Sequence, residues 1–301
     1  MDGEPTPLTP LARVLGIGEL LWDVFPDRRR LGGAPFNVTA SLRRLGHPSA
    51  FVTAVGDDEL GREAVAAAGT LGIDTAFIGV SADLPTGTVA VIPDDRLGHR
   101  FEVGSPAAYE ALGVVADAGR QIDAWGPAAT VFGTLAQRFP PTLRLTQRIA
   151  SGGEPIERLY DVNLRDGTWT PGLVSQLLAL ATIVKANADE ARVLAGMVGC
   201  VDEPGALGER LAREYRIGAL CVTHGAAGAV LWMDGELTAV DGISVRAIDT
   251  VGAGDAFAAG LLHGILTGMP PADLLALANR LGALVASRPG ALPDWRPDEV
   301  L

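Results

Sequence analysis

A chain of 301 residues with 36 acidic against 24 basic side chains and a formal net charge of -12 offers no basic surface for nucleic acid or an anionic membrane. Its 48% hydrophobic content can fill a large core, yet no run approaches the roughly 18 uninterrupted apolar residues of a membrane span, and MDGEPTPLTP lacks the basic-then-apolar order of a signal peptide. With only Cys200 and Cys221 present, neither a disulfide framework nor a four-cysteine metal site can form, and a reduced, cytoplasmic compartment is expected.

In chain order, RVLGIG (13–18) predicts a first strand, PFNVTASLRRLG (35–46) a helix with Pro35 near its start, AFVTAVG (50–56) the next strand and DELGREAVAAAGTLGI (58–73) the next helix. Further strands are predicted at 129–135, 157–163, 181–187 and 219–225, with helical patterns between most of them. Two apolar helices, 254–268 and 271–287, close the chain. The alternation predicts an α/β fold of three layers, helices covering both faces of a mainly parallel sheet, with ligands outside the carboxyl ends of the strands. No internal repeat is visible, and 1–301 reads as one domain. Two stretches, 19–31 and 86–104, break the alternation and read as extended, the second as a hairpin turning around DDRLG. Together they could form a small projecting sheet, either a flap that excludes water or an ordinary edge hairpin.

The chemistry concentrates in glycine-rich turns. DTVGAGDAFAAG (249–260) puts Asp255 after such a turn and at the head of a helix, where free backbone N–H groups and the helix dipole suit a phosphate. Asp there is either a helix cap or a base for a group that a phosphate is about to join. GIGELL and GAGDAF both miss the third glycine of a dinucleotide fingerprint, at Leu21 and Phe257, which argues against an NAD-dependent oxidoreductase. There is no P-loop, and the sole lysine, Lys185, is not assignable as a protein-kinase lysine. VTHGAAGAV (222–230) ends a strand in a loop of small residues suited to close backbone approach, and LGGAPFN (31–37) pairs two glycines with Asn37 one helical turn on.

LGGAPFN and DTVGAGDAFAAG together resemble the two signature regions of the PfkB family of carbohydrate kinases, the ribokinase-like fold. GELLWDVFP, AVGDDELG, TGTVAV, DVNLR, KANADE, VTHGAAG and SRPGALP follow in that family's order, so the resemblance covers roughly residues 13–295. It implies an ATP-dependent sugar kinase that uses Mg²⁺, in which Asp255 accepts the proton of the sugar hydroxyl and the N–H groups of Gly252, Ala253 and Gly254 form an anion hole. Asp255 is expected ionised, with an ordinary pKa near 4. By the same resemblance Asp23, Gly32, Gly33 and Asn37 hold sugar hydroxyls and Arg165 reaches the sugar or a phosphate, an exposed ion pair being the plainer alternative. Asn187, Thr223, Gly225, Gly228 and Asn279 line the nucleotide, and Glu190 organises Mg²⁺ through water. Asp249, Val251, Val285, Arg288 and Gly290 fall where relatives bind a monovalent cation such as K⁺, although Asp294 stands where ribokinase offers that ion a serine. Because 19–31 and 86–104 both interrupt the alternation and the first carries Asp23, they are expected to form a lid over the sugar, and the apolar residues of GTVAVIP make that lid a candidate homodimer interface. GELLWDVFP, LGGAPFN and SPAAYEAL look most like the fructokinase branch, which implies D-fructose. A 2-keto-3-deoxygluconate kinase or a ribokinase is the alternative, and a non-catalytic sugar-binding regulator would have no need of the intact GAGD.

Overall fold

The computed structural model describes residues 11–94, 98–112, 119–152 and 157–301. Its main sheet has nine strands. Six of them, β1 (Val14–Ile17), β4 (Ser49–Gly56), β8 (Ala129–Phe132), β9 (Glu157–Asp161), β10 (Ile183–Asn187) and β11 (Ala219–Thr223), match the six predicted strands within a few residues at each end. With β5 (Ile78–Ser81) added at one edge these run parallel, in the order β11-β10-β9-β8-β1-β4-β5.

The opposite edge departs from the sequence reading. β12 (Gly228–Met233) and β13 (Glu236–Asp241) extend the sheet antiparallel beyond β11. Their signal was present: Asp234 and Gly235 both take positive φ, 53° and 86°, as the two-residue Asp-Gly hairpin turn requires.

Period-2 alternation in the strands serves both faces of the sheet. Leu159, Ile183, Cys221 and Leu231 join one core with α1 (Ala34–Arg44), α8 (Ala253–Leu266) and α9 (Pro271–Ala286). Their neighbours Tyr160, Val184, Leu220 and Trp232 join the other, with α5 (Pro171–Leu178), α6 (Ala188–Val198) and α7 (Pro204–Tyr215). Further helices are α2 (Glu59–Thr70), α3 (Gly119–Trp125) and α4 (Pro140–Ala150). Helices α8 and α9 approach closely through glycine: a Cβ on Gly260 would lie 2.7 Å from Ala278 Cα.

A second sheet of four strands stands apart, in the order β3-β2-β6-β7. The stretch 19–31 is not one extended segment but a tight hairpin of β2 (Leu21–Val24) and β3 (Arg29–Gly32), closed by Phe25 N–H donating to the Arg28 carbonyl at 2.8 Å. β6 (Gly87–Asp94) pairs with β2 in parallel and with β7 (Gly98–Val103) antiparallel. The tip of the DDRLG turn, 95–97, lies outside the described residues.

Candidate active site at the N-terminus of α8

The glycine-rich turn ends in Gly252, which caps α8 in the left-handed conformation at φ 81°, and no side chain caps the helix. Asp255 is therefore not the cap: it is the third residue of the first turn, three positions past the residue whose side chain would cap the helix. Ala253 N–H points back to the Thr250 carbonyl at 3.3 Å, whereas Gly254, next in the first turn, has no intrahelical acceptor for its amide. Of the three amides named from the sequence, Ala253's is thus already engaged.

Asn37 reaches Asp255 from α1, its Nδ2 donating to Asp255 Oδ2 at 2.8 Å. The geometry that brings it there depends on Gly33, at φ 121°, where a Cβ would lie 2.2 Å from the Glu19 carbonyl oxygen. Asn37 Oδ1 is buried without a partner. Burial, reinforced by the charge of Asp161, pushes the Asp255 carboxyl up to about 6, against the Asn37 bond and the cations Lys185 and Arg165. The ordinary value near 4 expected from sequence is corrected accordingly, although the group is still largely ionised at neutral pH.

Three residues of this centre were not named as site residues from sequence. Lys185 and Asp161 pair directly across β10 and β9, with Lys185 Nζ at 3.1 and 3.3 Å from the two Asp161 oxygens. Both are buried, and a Cβ placed on Gly254 would come within 3.1 Å of Lys185 Nζ. The signal was a charge in the middle of each of two apolar strand patterns, ERLYDVN and ATIVKAN. Glu19 is the third. It is buried, Oε2 has no partner, and burial pushes its carboxyl up to about 7 despite bonds from backbone N–H groups including Ala34's.

The small sheet brings Asp23 to the same side. Asp23 Oδ2 lies where a Cβ on Gly32 would meet it at 2.9 Å, and burial raises its carboxyl to about 6 against the pull of Arg165 and Arg30. Arg165 itself is exposed. Arg30, opposite Asp23 in the β2–β3 register, bonds Asp249 Oδ2 at 2.7 Å.

Asp249 is thereby committed, its carboxylate also accepting from Val251 and Gly290 N–H. These bonds gather Asp249, Val251 and Gly290, and Ile248 and Asp249 N–H donate to the Ala286 carbonyl between Val285 and Arg288. The Val285 carbonyl already accepts from Arg288 N–H at 3.0 Å.

Asn187 and Glu190 form a capping box at the start of α6, and Glu190 also accepts from Leu164 N–H at 2.9 Å. Glu190 is buried, which raises its pKa, as does Asp161. Among the described residues no group of three or more His, Cys, Asp and Glu side chains could hold a metal ion. At the end of β11, Thr223 Oγ1 bonds the Ala186 carbonyl at 3.4 Å, followed by Gly225 at φ 57° and Gly228 at φ 105°. A Cβ on Gly228 would lie 2.0 Å from the Val240 carbonyl oxygen. Asn279 Nδ2 donates to the Asp241 carbonyl at 2.7 Å, tying α9 to β13.

The chain is 30% identical over 298 residues to a fructokinase of Escherichia coli, covering 93% of this chain and 95% of that one. Among solved structures it resembles a sugar kinase from Pyrococcus horikoshii in complex with ATP, with 27% identity, a TM-score of 0.82 and coverage of 95% and 96% of the two chains. It also resembles the fructokinase of Vibrio cholerae in its fructose-, ADP- and calcium-bound form, with 26% identity, a TM-score of 0.77 and coverage of 94% and 96%. The family model for pfkB family carbohydrate kinases matches residues 18–297. This chain belongs to the pfkB family of carbohydrate kinases.

Proposed function

We propose that the protein transfers the γ-phosphoryl group of ATP to a hydroxyl of D-fructose. One juxtaposition carries the reading: the Asp255 carboxylate, in the first turn of α8, is held by Asn37 from the LGGAPFN segment at 2.8 Å. A base, a set of helix-start amides and a sugar-binding segment thus meet at one point. The fructokinases of E. coli and V. cholerae among the similar proteins support the choice of sugar.

In the reaction the hydroxyl oxygen bonds to the γ-phosphorus as the bond to the β–γ bridging oxygen breaks. Asp255 takes the hydroxyl proton, and ADP leaves with the bridging oxygen. Negative charge spreads over the equatorial oxygens, facing the amides of Gly252 and Gly254, with Ala253 contributing once its turn bond is exchanged. Asn37 spends Nδ2 on Asp255, so its unpartnered Oδ1 accepts from a second sugar hydroxyl. Asp23, Gly32, Gly33 and Arg165 complete the sugar contacts. Asn187, Thr223, Gly225, Gly228 and Asn279 line the nucleotide.

With no cage of protein ligands among the described residues, the donor set fits a hydrated Mg²⁺ carried by the triphosphate. Glu190 would hold it through water on the lone pairs its backbone bonds leave free. When bound, that ion neutralises phosphate charge. Asp249, Val251, Val285, Arg288 and Gly290 would offer backbone carbonyls to a monovalent cation.

The small sheet serves as a lid that keeps water from competing as acceptor, an insertion in an otherwise single domain. Its face, where Val24 is exposed, is the place for a homodimer contact. The protein works in the cytoplasm on this reading.

A sugar acid is the second reading, favoured by the two guanidiniums, Arg30 and Arg165, that act on Asp23. A coupled ADP-release screen over fructose, ribose, 2-keto-3-deoxygluconate, tagatose and nucleosides decides. Fructose is expected to turn over fastest, and faster turnover of 2-keto-3-deoxygluconate overturns the assignment.

A further inference from the structure

We infer that Lys185 is a positioning residue for phosphoryl transfer, an ammonium locked beneath the anion-binding turn by Asp161 so that the field at Gly254 and Asp255 is fixed before substrate arrives. The inference rests on the kinase reading of this site but not on which sugar it takes.

Three observations carry it. Lys185 is the only lysine in the chain and sits on a strand whose other inward positions are apolar, Ile183 facing the same core. Its Nζ touches both oxygens of Asp161, at 3.1 and 3.3 Å, which leaves its third N–H free of that carboxylate. The same nitrogen lies under Gly254, where a side chain would meet it at 3.1 Å, so Gly254 leaves room for the ammonium as well as for a phosphate. A buried ion pair is poor evidence of a stabilising role, because desolvation offsets most of the attraction. A fixed cation behind free amides is what a transition state gathering negative charge requires.

The groups around the pair are accounted for. Lys185 faces Asp161 on β9, Asp255 on α8, Glu190 on α6 and the Cys221 thiol on β11. Burial works against its charge, but the three carboxylates outweigh it and hold the ammonium above the usual lysine range. Asp255 in turn faces Asp161, Lys185, Arg165, Asn37 and Glu19. Lys185 and Asp161 therefore act on Asp255 with opposite sign.

The test uses Lys185→Met, Asp161→Asn and the double variant, which removes both charges and leaves neither buried alone. Each is assayed with whichever sugar the wild type phosphorylates best. Carbodiimide labelling of Asp255 against pH, read by peptide mass spectrometry, follows the carboxyl without any turnover. Lys185→Met and the double variant are expected to lose roughly 10²-fold in kcat with sugar KM changed far less. The labelling midpoint should rise in Lys185→Met and fall in Asp161→Asn. A folded double variant with kcat within about threefold of wild type, against that 10²-fold expectation, overturns the inference, as do midpoints that stay put or move together. A wild type that phosphorylates no sugar tested would sink the kinase reading instead, and the labelling result would still stand.

Discussion

Asn37 Nδ2 donates to Asp255 Oδ2 at 2.8 Å across 218 positions of sequence, joining the first turns of two helices that pack side by side. The bond engages one carboxylate oxygen, Oδ2, and leaves Oδ1 outside it. It also fixes what Asp255→Asn should do. Since Asp255 caps nothing, the amide replaces a buried charge without removing a helix cap, and its oxygen can still accept from Asn37. The melting temperature should hold or rise while sugar phosphorylation falls by roughly 10² to 10⁴, the usual loss of a positioned general base. Turnover within about threefold of wild type in the folded variant would remove Asp255 from the chemistry.

Replacing Asn37 tests the same bond from its other end. Asn37→Ala withdraws a donor that favours the ionised carboxylate, so the acid limb of kcat/KM, set near 6 by Asp255, should move to higher pH. The sugar KM should rise as well, through loss of Oδ1. An unmoved acid limb would mean that Asn37 serves the sugar alone.

Arg30 and Asp249 clasp the small sheet to the loop that leads into α8, at 2.7 Å. The pair is partly exposed, 28% and 22% of the two side chains, so its contribution to global stability should be modest, about 1 kcal/mol. Its effect should be local. In Arg30→Met, hydrogen exchange in 29–32 and 249–252 is expected to speed up, with more ATP hydrolysis in the absence of sugar as water gains access. Unchanged exchange in both segments would show that the clasp does not couple them.

A buried histidine pair sets an acid limit to stability. His47 Nε2 and His263 Nδ1 lie 3.0 Å apart between the end of α1 and α8. Burial and the neighbouring ring depress His263 to about 4, and burial lowers His47. The unfolded chain, with ordinary histidines near 6.5, binds more protons in between. Stability present above pH 6.5 is therefore lost as pH falls toward 4, by up to about 3 kcal/mol from His263. His263→Gln should flatten chemical denaturation midpoints across that window, and an unaltered slope would refute the assignment.

Glu19 acts in the opposite direction. Its carboxyl, raised to about 7 by burial, keeps its proton when folded, so the stability it contributes is full below pH 4.5 and is lost as pH rises through 7. Glu19→Gln, neutral at every pH, should melt above the wild type at pH 8 and close to it at pH 4. A lower melting temperature at pH 8 would mean that the ionised carboxylate is held by its backbone donors.

The sequence by itself determined the local grammar of this protein. Strand and helix periods placed the six parallel strands and the paired C-terminal helices, and the two glycine segments marked where a chain can turn sharply and expose backbone amides. Asp255 stood out by its place after a glycine turn at a helix start, whereas Asn37 was singled out as a site residue only by the resemblance of LGGAPFN to a family signature. Asp234-Gly235 was equally local, and reading it as a hairpin turn would have revealed β12 and β13. What only the tertiary structure decided was which charges share an environment. Asp161 and Lys185 are 24 positions apart and become neighbours only through strand register, and Arg30 meets Asp249 only because the small sheet packs beside the loop that leads into α8. The Asp255 pKa follows the same rule, since burial and like charge are properties of an assembled site, and no side chain carries them in its own formula.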